Sequence, residues 1–379
     1  MPRVCLVQSL TVAVIANMPS AHDEKDPPYQ QDIRYVFKLN KWILGSIGIW
    51  PVSEQGFGRH ASKIAIALGN LTLSFAMVPF ALHIVYDEKD IIMRLKLSGL
   101  LAFCIVSMTK YCILAIRRPK IQQCIEYVKN DWWKVTFKSN RELMLKYATI
   151  GRNLTIISAS FMYTAGIIYF MILIPFFSET KINNQTVRPL VYPIYNAFYQ
   201  SQISPIYEIV YVAHCLCGYT TYSITVGACG LAAVFVTHAC GQIHMILLQL
   251  EDLLNGENSD IHQRIAIIVK DHVRVMRFSA VIEEILQEVC LVEFSSSVCT
   301  ICLLEYYCIV SSQIGSVCFM INWYQLSPKS VRSLIMIIAI SSNPIKLSAG
   351  RMVDLSLTTF GNVLKTSVAY LSFLRTLVM

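Results

Sequence analysis

Histidines, cysteines and carboxylates are the side chains here that could do chemistry, but their spacing matches no catalytic or metal-binding motif. His238 and His244 are six residues apart, which separates them by about 240° around a helix, too far to share a metal ion. The sequence has no phosphate-binding loop with Gly-Lys-Ser/Thr, no Gly-x-Ser-x-Gly elbow and no His-Glu-x-x-His. We expect Glu283 and Glu284 to belong to a solvated face. The sequence therefore predicts no catalytic residue, no metal site, no cofactor and no enzyme activity.

The segments that carry these residues are unusually apolar. Hydrophobic residues make up 55% of the 379-residue chain and charged residues 15%, against about 25% charged in a soluble domain. Lipid must cover part of such a chain, which excludes a soluble enzyme, a disordered protein and a disulfide-stapled secreted module. The net charge of +8 comes mostly from cations between apolar runs, so it predicts membrane orientation and not nucleic-acid binding. Most of the 13 cysteines are expected to pack as small hydrophobic residues.

Six apolar runs predict an all-α, polytopic membrane helix bundle, because about 20 apolar residues cross a bilayer core as a helix. They are residues 64–85, 97–116, 154–177, 209–250, 289–310 and 355–379. The fourth has 42 residues, and about 63 Å of helix is twice the bilayer core, so it should project beyond the membrane. Lys110 near the end of the second run is expected to snorkel to the headgroups.

Residues 1–31 are predicted to be an N-terminal tail. Its short apolar stretch, 4–16, resembles a signal-peptide core more than a membrane span. Three interpretations are a cleaved signal, an unstructured tail, or residues upstream of a true start at Met18; we favour the last two together.

The loop charges predict the orientation. Nine Lys and Arg residues lie between 117 and 152, whereas the connection between the third and fourth runs has only Lys181 and Arg188. The positive-inside rule therefore places the N-terminus and the 117–152 segment in the cytosol. Asn184, in Asn-Gln-Thr, then lies outside as a glycosylation site. A G-protein-coupled receptor would have the opposite orientation, and its Asp-Arg-Tyr and Asn-Pro-x-x-Tyr motifs are absent.

Several motifs resemble those of insect odorant receptors and follow one another in the same order along the chain. They are Gly-Ile-Trp-Pro (48–51), His-Ala-Cys-Gly-Gln (238–242), Trp-Tyr-Gln-Leu (323–326), the 341–350 stretch, Leu-Ser-Leu-Thr-Thr-Phe (355–360), and Lys-Thr-Ser (365–367) with Tyr370. The resemblance implies a ligand-gated, non-selective cation channel in the plasma membrane of sensory neurons. It further implies a hetero-tetramer with a shared odorant receptor co-receptor, and small volatile organic ligands. Residues 32–379 would form the transmembrane domain, with 238–288 and 323–350 contributing to a cytosolic anchor.

The resemblance also implies the site residues. The odorant pocket would use the outer halves of the second, third and fourth spans: Leu97, Leu101, Cys104, Tyr163, Gly166, Phe170, Val210, Tyr211, His214 and Cys217. The plainer alternative is helix packing, with Gly166 as a position of close approach. In the last helix a stripe would line the pore, with its last two members at a hydrophobic gate: Thr366, Tyr370, Phe373 and Leu377. The plainer alternative is a stripe that faces lipid or the bundle.

One departure from the family concerns the sixth span. Only 15 residues, 308–322, separate Tyr307 from Trp323, and about 22 Å of helix is shorter than the bilayer core of about 30 Å. We therefore expect six spans where the family has seven, with most of the sixth missing. With a cytosolic N-terminus, five spans before Trp323 would put the Trp323 segment outside. The charges of that segment nevertheless favour the cytosol. Either the product is defective or alternatively spliced, or the fifth run stays cytosolic or re-enters.

Two other functions stay open from the sequence. A gustatory-type receptor channel shares the architecture, but its expected Thr-Tyr-x-x-x-x-x-Gln-Phe ending is absent. A membrane transporter would often show internal repeats, and we find none.

Overall fold

The computed structural model describes residues 28–51, 57–135, 137–174, 180–182, 185–188, 190–195, 203–253, 261–341, 348–349 and 353–354, with isolated positions between 358 and 372. The tail before residue 28, the sequon Asn184 and the expected gate residues Tyr370, Phe373 and Leu377 lie outside these residues. The chain divides into two units, one of residues 1–85 and 104–292 and the other of 86–103 and 293–379.

Helices form almost all of the described structure. In chain order they are α1 (Pro28–Ser46), α2 (Phe57–Leu82), α3 (Ile91–Ile116), α4 (Arg118–Lys134), α5 (Lys138–Ile167), α6 (Ile206–Glu251), α7 (Ile261–Met320) and α8 (Pro328–Ser341). Helices α2 and α5 continue as π-helical turns, His83–Asp87 and Ile168–Leu173, and a 3₁₀ turn, Trp323–Gln325, precedes α8. Two short antiparallel hairpins pair β1 (Thr180–Ile182) with β2 (Gln185–Val187), and β3 (Ser348–Ala349) with β4 (Val353–Asp354).

The predicted membrane helix bundle is confirmed. Among the described residues five helices are long and apolar enough to cross a membrane: His60–Asp87, Met93–Ile116, Lys138–Met171, Ile206–Glu251 and Ile261–Leu303. Helix α6 has 46 residues, or about 69 Å, so the predicted overlong fourth helix is present. The sixth predicted run, 355–379, lies mostly outside the described residues.

Helix α7 is continuous for 60 residues, which is about 90 Å. Residues 308–320, where the family was expected to have a further span, are the last turns of this helix. Within the described residues, no separate helix stands between α7 and the Trp323 turn.

Close helix packing builds the first unit around α5 and α6. Gly151 of α5 faces the backbone of Ala233 and Val234, so even one methyl group there would press on α6. Asn40 of α1 donates its Nδ2–H to the carbonyl oxygen of Gly230 at 3.1 Å. Small residues thus let three helices approach closely, as is usual where lipid removes the hydrophobic drive for association.

Lys110 corrects one expectation from the sequence. Its side chain does not snorkel: it is buried, with 1% exposed, and its Nζ donates to Thr225 Oγ1 at 3.1 Å. A hydroxyl on the facing helix α6 therefore holds the ammonium group inside the bundle.

The 117–152 segment, predicted as a charged loop, is formed mainly by α4 and the first half of α5, and ion pairs hold it. Asp131 of α4 contacts His238 Nε2 at 3.0 Å and also Arg274. Arg141 of α5 binds Asp32 of α1 at 2.6 Å. Arg117 binds Glu288 at 2.6 Å and Glu284 at 3.5 Å. We call these eight residues the ion-pair layer. Glu284, expected on a solvated face, is therefore an ion-pair partner.

Candidate ligand-binding site

Tyr192 joins three helices of the first unit. It lies in the 190–195 segment, whose Tyr195 N–H bonds the carbonyl oxygen of Pro79 at 3.3 Å. The Tyr192 ring lies 5.6 Å from the ring of Phe80 in α2 and 5.1 Å from that of His214 in α6. Its hydroxyl lies near the thiols of Cys104 in α3 and Cys217 in α6. Burial raises the pKa of Tyr192 above its usual range, so the phenol stays neutral and keeps its proton.

Two glycines let aromatic rings fill the neighbouring space. A Cβ atom on Gly218 would collide with the ring of Phe170, and one on Gly166 would collide with the ring of Tyr222. The Phe170 and Tyr222 rings are themselves 6.1 Å apart. The close approach expected at Gly166 therefore exists, and the ring that uses it belongs to α6.

These contacts define the Tyr192 cluster. Its members are Phe80, Cys104, Gly166, Phe170, Tyr192, Tyr211, His214, Cys217, Gly218 and Tyr222. Six of them were expected as ligand-binding residues from the sequence. Tyr211 belongs because its hydroxyl donates to the Phe170 carbonyl oxygen.

The remaining four expected residues are placed differently. Tyr163 bonds Ser223 Oγ at 2.8 Å, stacks on Tyr219 and packs on a cluster that includes Ile43 of α1. Val210 is buried, with 2% exposed. Leu97 and Leu101 are partly exposed and belong to the second unit.

Sequence reasoning missed Tyr192, Phe80, Gly218 and Tyr222. The connection between the third and fourth spans was treated as an outside loop, although Val-Tyr-Pro-Ile (191–194) is an apolar stretch within it. Val191, Tyr192 and Ile194 are all buried. That stretch was the available signal, since an exposed loop has no reason to be apolar over four residues.

The bundle interior has buried polar atoms without a partner among the described residues. His214 Nδ1, Ser107 Oγ and Thr164 Oγ1 are buried and make no hydrogen bond there. A buried polar atom costs about 1–3 kcal/mol when it is unpaired, so each is a place where a ligand group would be favoured. His214 is 1% exposed, and its Nδ1 is the atom that belongs to the Tyr192 cluster.

The Tyr192 cluster is closed. Tyr192, Phe170 and Cys104 are exposed by only 5%, 7% and 3%. Two cavities of the first unit, of about 1090 and 250 Å³, are lined by other residues, none of them among the ten expected for the ligand. A small molecule can enter only if side chains or the 190–195 segment move.

The long apolar helices, with a closed and mostly apolar cluster inside the bundle, define a multi-pass membrane protein. The sequence model of the 7tm Odorant receptor family matches residues 95–320 and 308–368. The chain belongs to the insect odorant receptor family. The membrane helix bundle and the non-enzymatic nature expected from the sequence agree with that membership.

Two solved structures share the fold. One is the insect olfactory receptor OR5 from Machilis hrabei, with a TM-score of 0.56 and 14% identity over 92% of this chain and 99% of that one. The other is the same receptor in complex with eugenol, with a TM-score of 0.56 and 12% identity over 93% of this chain and 100% of that one. No curated protein sequence matches this chain.

Proposed function

We propose that the chain is an odorant-binding subunit of a ligand-gated, non-selective cation channel in the plasma membrane of sensory neurons. The family match over most of the chain carries this proposal. It favours odorant binding over the gustatory-type receptor and the transporter. A relative of the same fold has been solved with eugenol, a small organic molecule.

The Tyr192 cluster is the proposed odorant site. Its walls are aromatic and thiol side chains, which suit volatile organic molecules. His214 Nδ1 would accept a hydrogen bond from a ligand hydroxyl, because it is buried and has no partner among the described residues. The preferred ligand class is therefore small, apolar and carries one hydrogen-bond donor.

His214→Phe tests that assignment while keeping a ring against Tyr192. A net hydrogen bond of about 1 kcal/mol corresponds to roughly a fivefold change in affinity. The variant should lose about that much affinity for a phenol and none for its methyl ether, measured by ligand displacement on purified protein. His262→Asn, on the exposed start of α7, is the control. An equal loss for phenol and ether would contradict the role of His214.

Assembly with the co-receptor is proposed to use the α7 start and, separately, the α8 region. Ile267, Val269 and Met276 of α7 are 49–58% exposed, and Ile335 and Met336 of α8 are 60% and 68% exposed. The charge pattern puts both stretches in the cytosol, where lipid does not cover them. A partner subunit would therefore cover these exposed apolar side chains.

Within the expected pore stripe, the Thr366 hydroxyl donates to the carbonyl oxygen of Asn362 at 2.8 Å.

The missing sixth span is proposed to weaken gating without abolishing binding. Residues 308–320 are matched by both parts of the family model and form the end of the single helix α7. Residues 308–320 therefore form one helical segment where the family has two. A longer transcript with about one span's worth of additional residues after Tyr307 would support this deletion.

One experiment separates these proposals. The 379-residue chain is expressed with and without the co-receptor, and co-purification, odorant displacement and odorant-evoked current are measured together. Binding and co-purification with little current would support a receptor with impaired gating. Robust odorant-gated current would refute the impairment, and absence of both binding and co-purification would refute the odorant receptor function. Surface staining of an epitope tag before Asp32 on intact cells would contradict the predicted orientation.

A further inference from the structure

The outer end of α5 winds as a π-helical turn, Ile168–Leu173. Such turns are rare, and those inside α-helices are frequent at functional sites. The N–H of Ile174 donates to the carbonyl oxygen of Tyr169, five residues back, whereas an α-helix would pair it with Phe170, four residues back. The π register therefore leaves the Phe170 carbonyl oxygen to another donor.

Pro175, the next residue in the sequence, gives a physical reason for this register. In an α-helix a proline ring collides with the carbonyl group four residues back, which here belongs to Met171. A π turn is wider, and the carbonyl group five residues back belongs to Phe170. Proline has no N–H to donate to it, and a buried carbonyl without a donor costs free energy.

Tyr211 of α6 supplies the missing donor. Its hydroxyl donates to the Phe170 carbonyl oxygen. The Tyr211 ring stacks on Tyr207 of the same helix, with 5.9 Å between ring centroids, so the side chain is held from both sides. A side chain of α6 thus replaces a hydrogen bond that the backbone of α5 does not make.

The Phe170 ring closes the Tyr192 cluster on this side. It fills the space beside Gly218 that a Cβ atom there would need, and it packs 6.1 Å from the Tyr222 ring. Its neighbour Tyr169 is 39% exposed, whereas Phe170 is 7% exposed. The Phe170 ring is therefore the inner neighbour of a side chain that reaches the surface.

The turn can exchange one set of hydrogen bonds for another. In the α register the Ile174 N–H would take the Phe170 carbonyl oxygen, and Tyr211 would be released. Side chains of the turn would rotate about the helix axis by up to the angle of one residue, about 100°, which moves the Phe170 ring away from Gly218. The collision at Pro175 opposes this change, so the closed register is the one observed.

We infer that the Ile168–Leu173 turn is a gate of the Tyr192 cluster and that the Tyr211 hydroxyl holds this gate closed. Tyr211 is then a positioning residue, because it acts through Phe170. As a route into an odorant site, the gate rests on the proposed function. As a movement of the turn, it can be measured without any ligand.

Thiol labelling of the purified full-length chain in detergent, without ligand, tests the gate. N-ethylmaleimide is the reagent, and mass spectrometry follows Cys217, which is 1% exposed, with the exposed Cys112 as internal reference. Tyr211→Phe should speed the labelling of Cys217 about fivefold, which is the equivalent of one net hydrogen bond. Tyr219→Phe is the control: it removes a hydroxyl of the same helix that bonds Ser46 Oγ at 2.9 Å, and the rate should stay unchanged.

A second variant shows whether Tyr211 acts through the ring. Phe170→Ala should speed the labelling of Cys217 further, and adding Tyr211→Phe should change nothing more, because no ring is left to hold. Unchanged labelling in Tyr211→Phe, equal acceleration in Tyr219→Phe, or additive effects of the two cluster variants would each overturn the gate.

Ligand displacement separates the gate from the odorant site. Tyr211→Phe should bind a phenol and its methyl ether about fivefold more tightly, because more of the protein is in the form that admits a ligand. Misfolding would weaken binding instead. Faster labelling of Cys217 without binding of either molecule would support the gate and contradict the odorant site. Unchanged labelling with intact binding of both molecules would contradict the gate alone.

Discussion

The Tyr192 cluster and the ion-pair layer share helices α5 and α6 but hold their helices together by different physics. The cluster joins α2, α3, α5 and α6 through packed rings, close approach at glycines and a hydrogen bond from Tyr211. The ion-pair layer joins α1 and α4–α7 through charges such as Asp131 with His238. Ring contacts are short-ranged and insensitive to salt, whereas ion pairs respond to salt and reach further. The region proposed to open for a ligand is thus the one closed mainly by the packing of rings.

Tyr192→Ala should have the largest effect on stability. Removing a buried aromatic ring leaves a cavity and typically costs about 4 kcal/mol. Thermal unfolding in detergent measures the loss, and ligand displacement shows whether the cavity now admits larger molecules. Tyr86→Ala is the control, because Tyr86 is 65% exposed. Equal stability of the two variants would mean that the 190–195 segment does not hold the cluster shut.

Asp131→Ala should be the most damaging change in the ion-pair layer. It leaves His238 and Arg274 facing a largely buried space without their carboxylate, and breaking a buried pair costs about 3 kcal/mol. Glu142→Ala, at an exposed position of α5, provides the comparison under the same thermal unfolding. A loss of stability no greater than that of Glu142→Ala would show that the ion-pair layer does not stabilise the fold. It would also contradict the comparison between the two regions.

Gly218→Ala tests whether shape alone closes the cluster. The added methyl group must displace the Phe170 ring, and overpacking of this kind costs about 2 kcal/mol. Phe170→Leu in the same chain should recover part of the loss, so a double-mutant cycle in thermal unfolding should show coupling. Gly99→Ala has no neighbour within 4 Å of the new atom and should be neutral or slightly stabilising. Additive effects of the two changes would contradict the packing described.

Arg117→Gln should have the smallest effect and the clearest dependence on salt. Its partners Glu284 and Glu288 are 45% and 43% exposed, and ion pairs of this kind contribute about 1 kcal/mol or less. At low salt this variant should unfold at a lower temperature than the original chain. Near 1 M salt the two unfolding temperatures should converge, because screening removes the difference. The loss caused by Gly218→Ala should stay constant across the same range. A salt-dependent loss of stability caused by Gly218→Ala would contradict the distinction between ring packing and ion pairs.

Much of the architecture could be predicted from the sequence, since bilayer thickness sets the length that a membrane-spanning helix needs. The overlong fourth helix and the close approach at Gly166 followed from such local patterns. The ion pairs could not be predicted, because Asp131 meets residues more than 100 positions away and any cation would look equally suitable. Tyr192 was missed because an apolar stretch in a connection does not reveal which helices it will cover. Lys110 was misplaced because a hydroxyl on a different helix accepts a hydrogen bond from its ammonium group.

The closed Tyr192 cluster has a consequence for how sensitivity to a ligand is set. When the form that admits a ligand is a minor population, the apparent dissociation constant exceeds the intrinsic one by the inverse of that population; an open fraction of about 1% raises it about a hundredfold. The fit of a molecule to the pocket and the readiness of the pocket to open are then separate variables. The Tyr195–Pro79 backbone bond governs the second variable without touching a bound molecule. Changes in the 190–195 segment that spare Tyr192 would shift responses to every ligand by the same factor, whereas changes at His214 would reorder them.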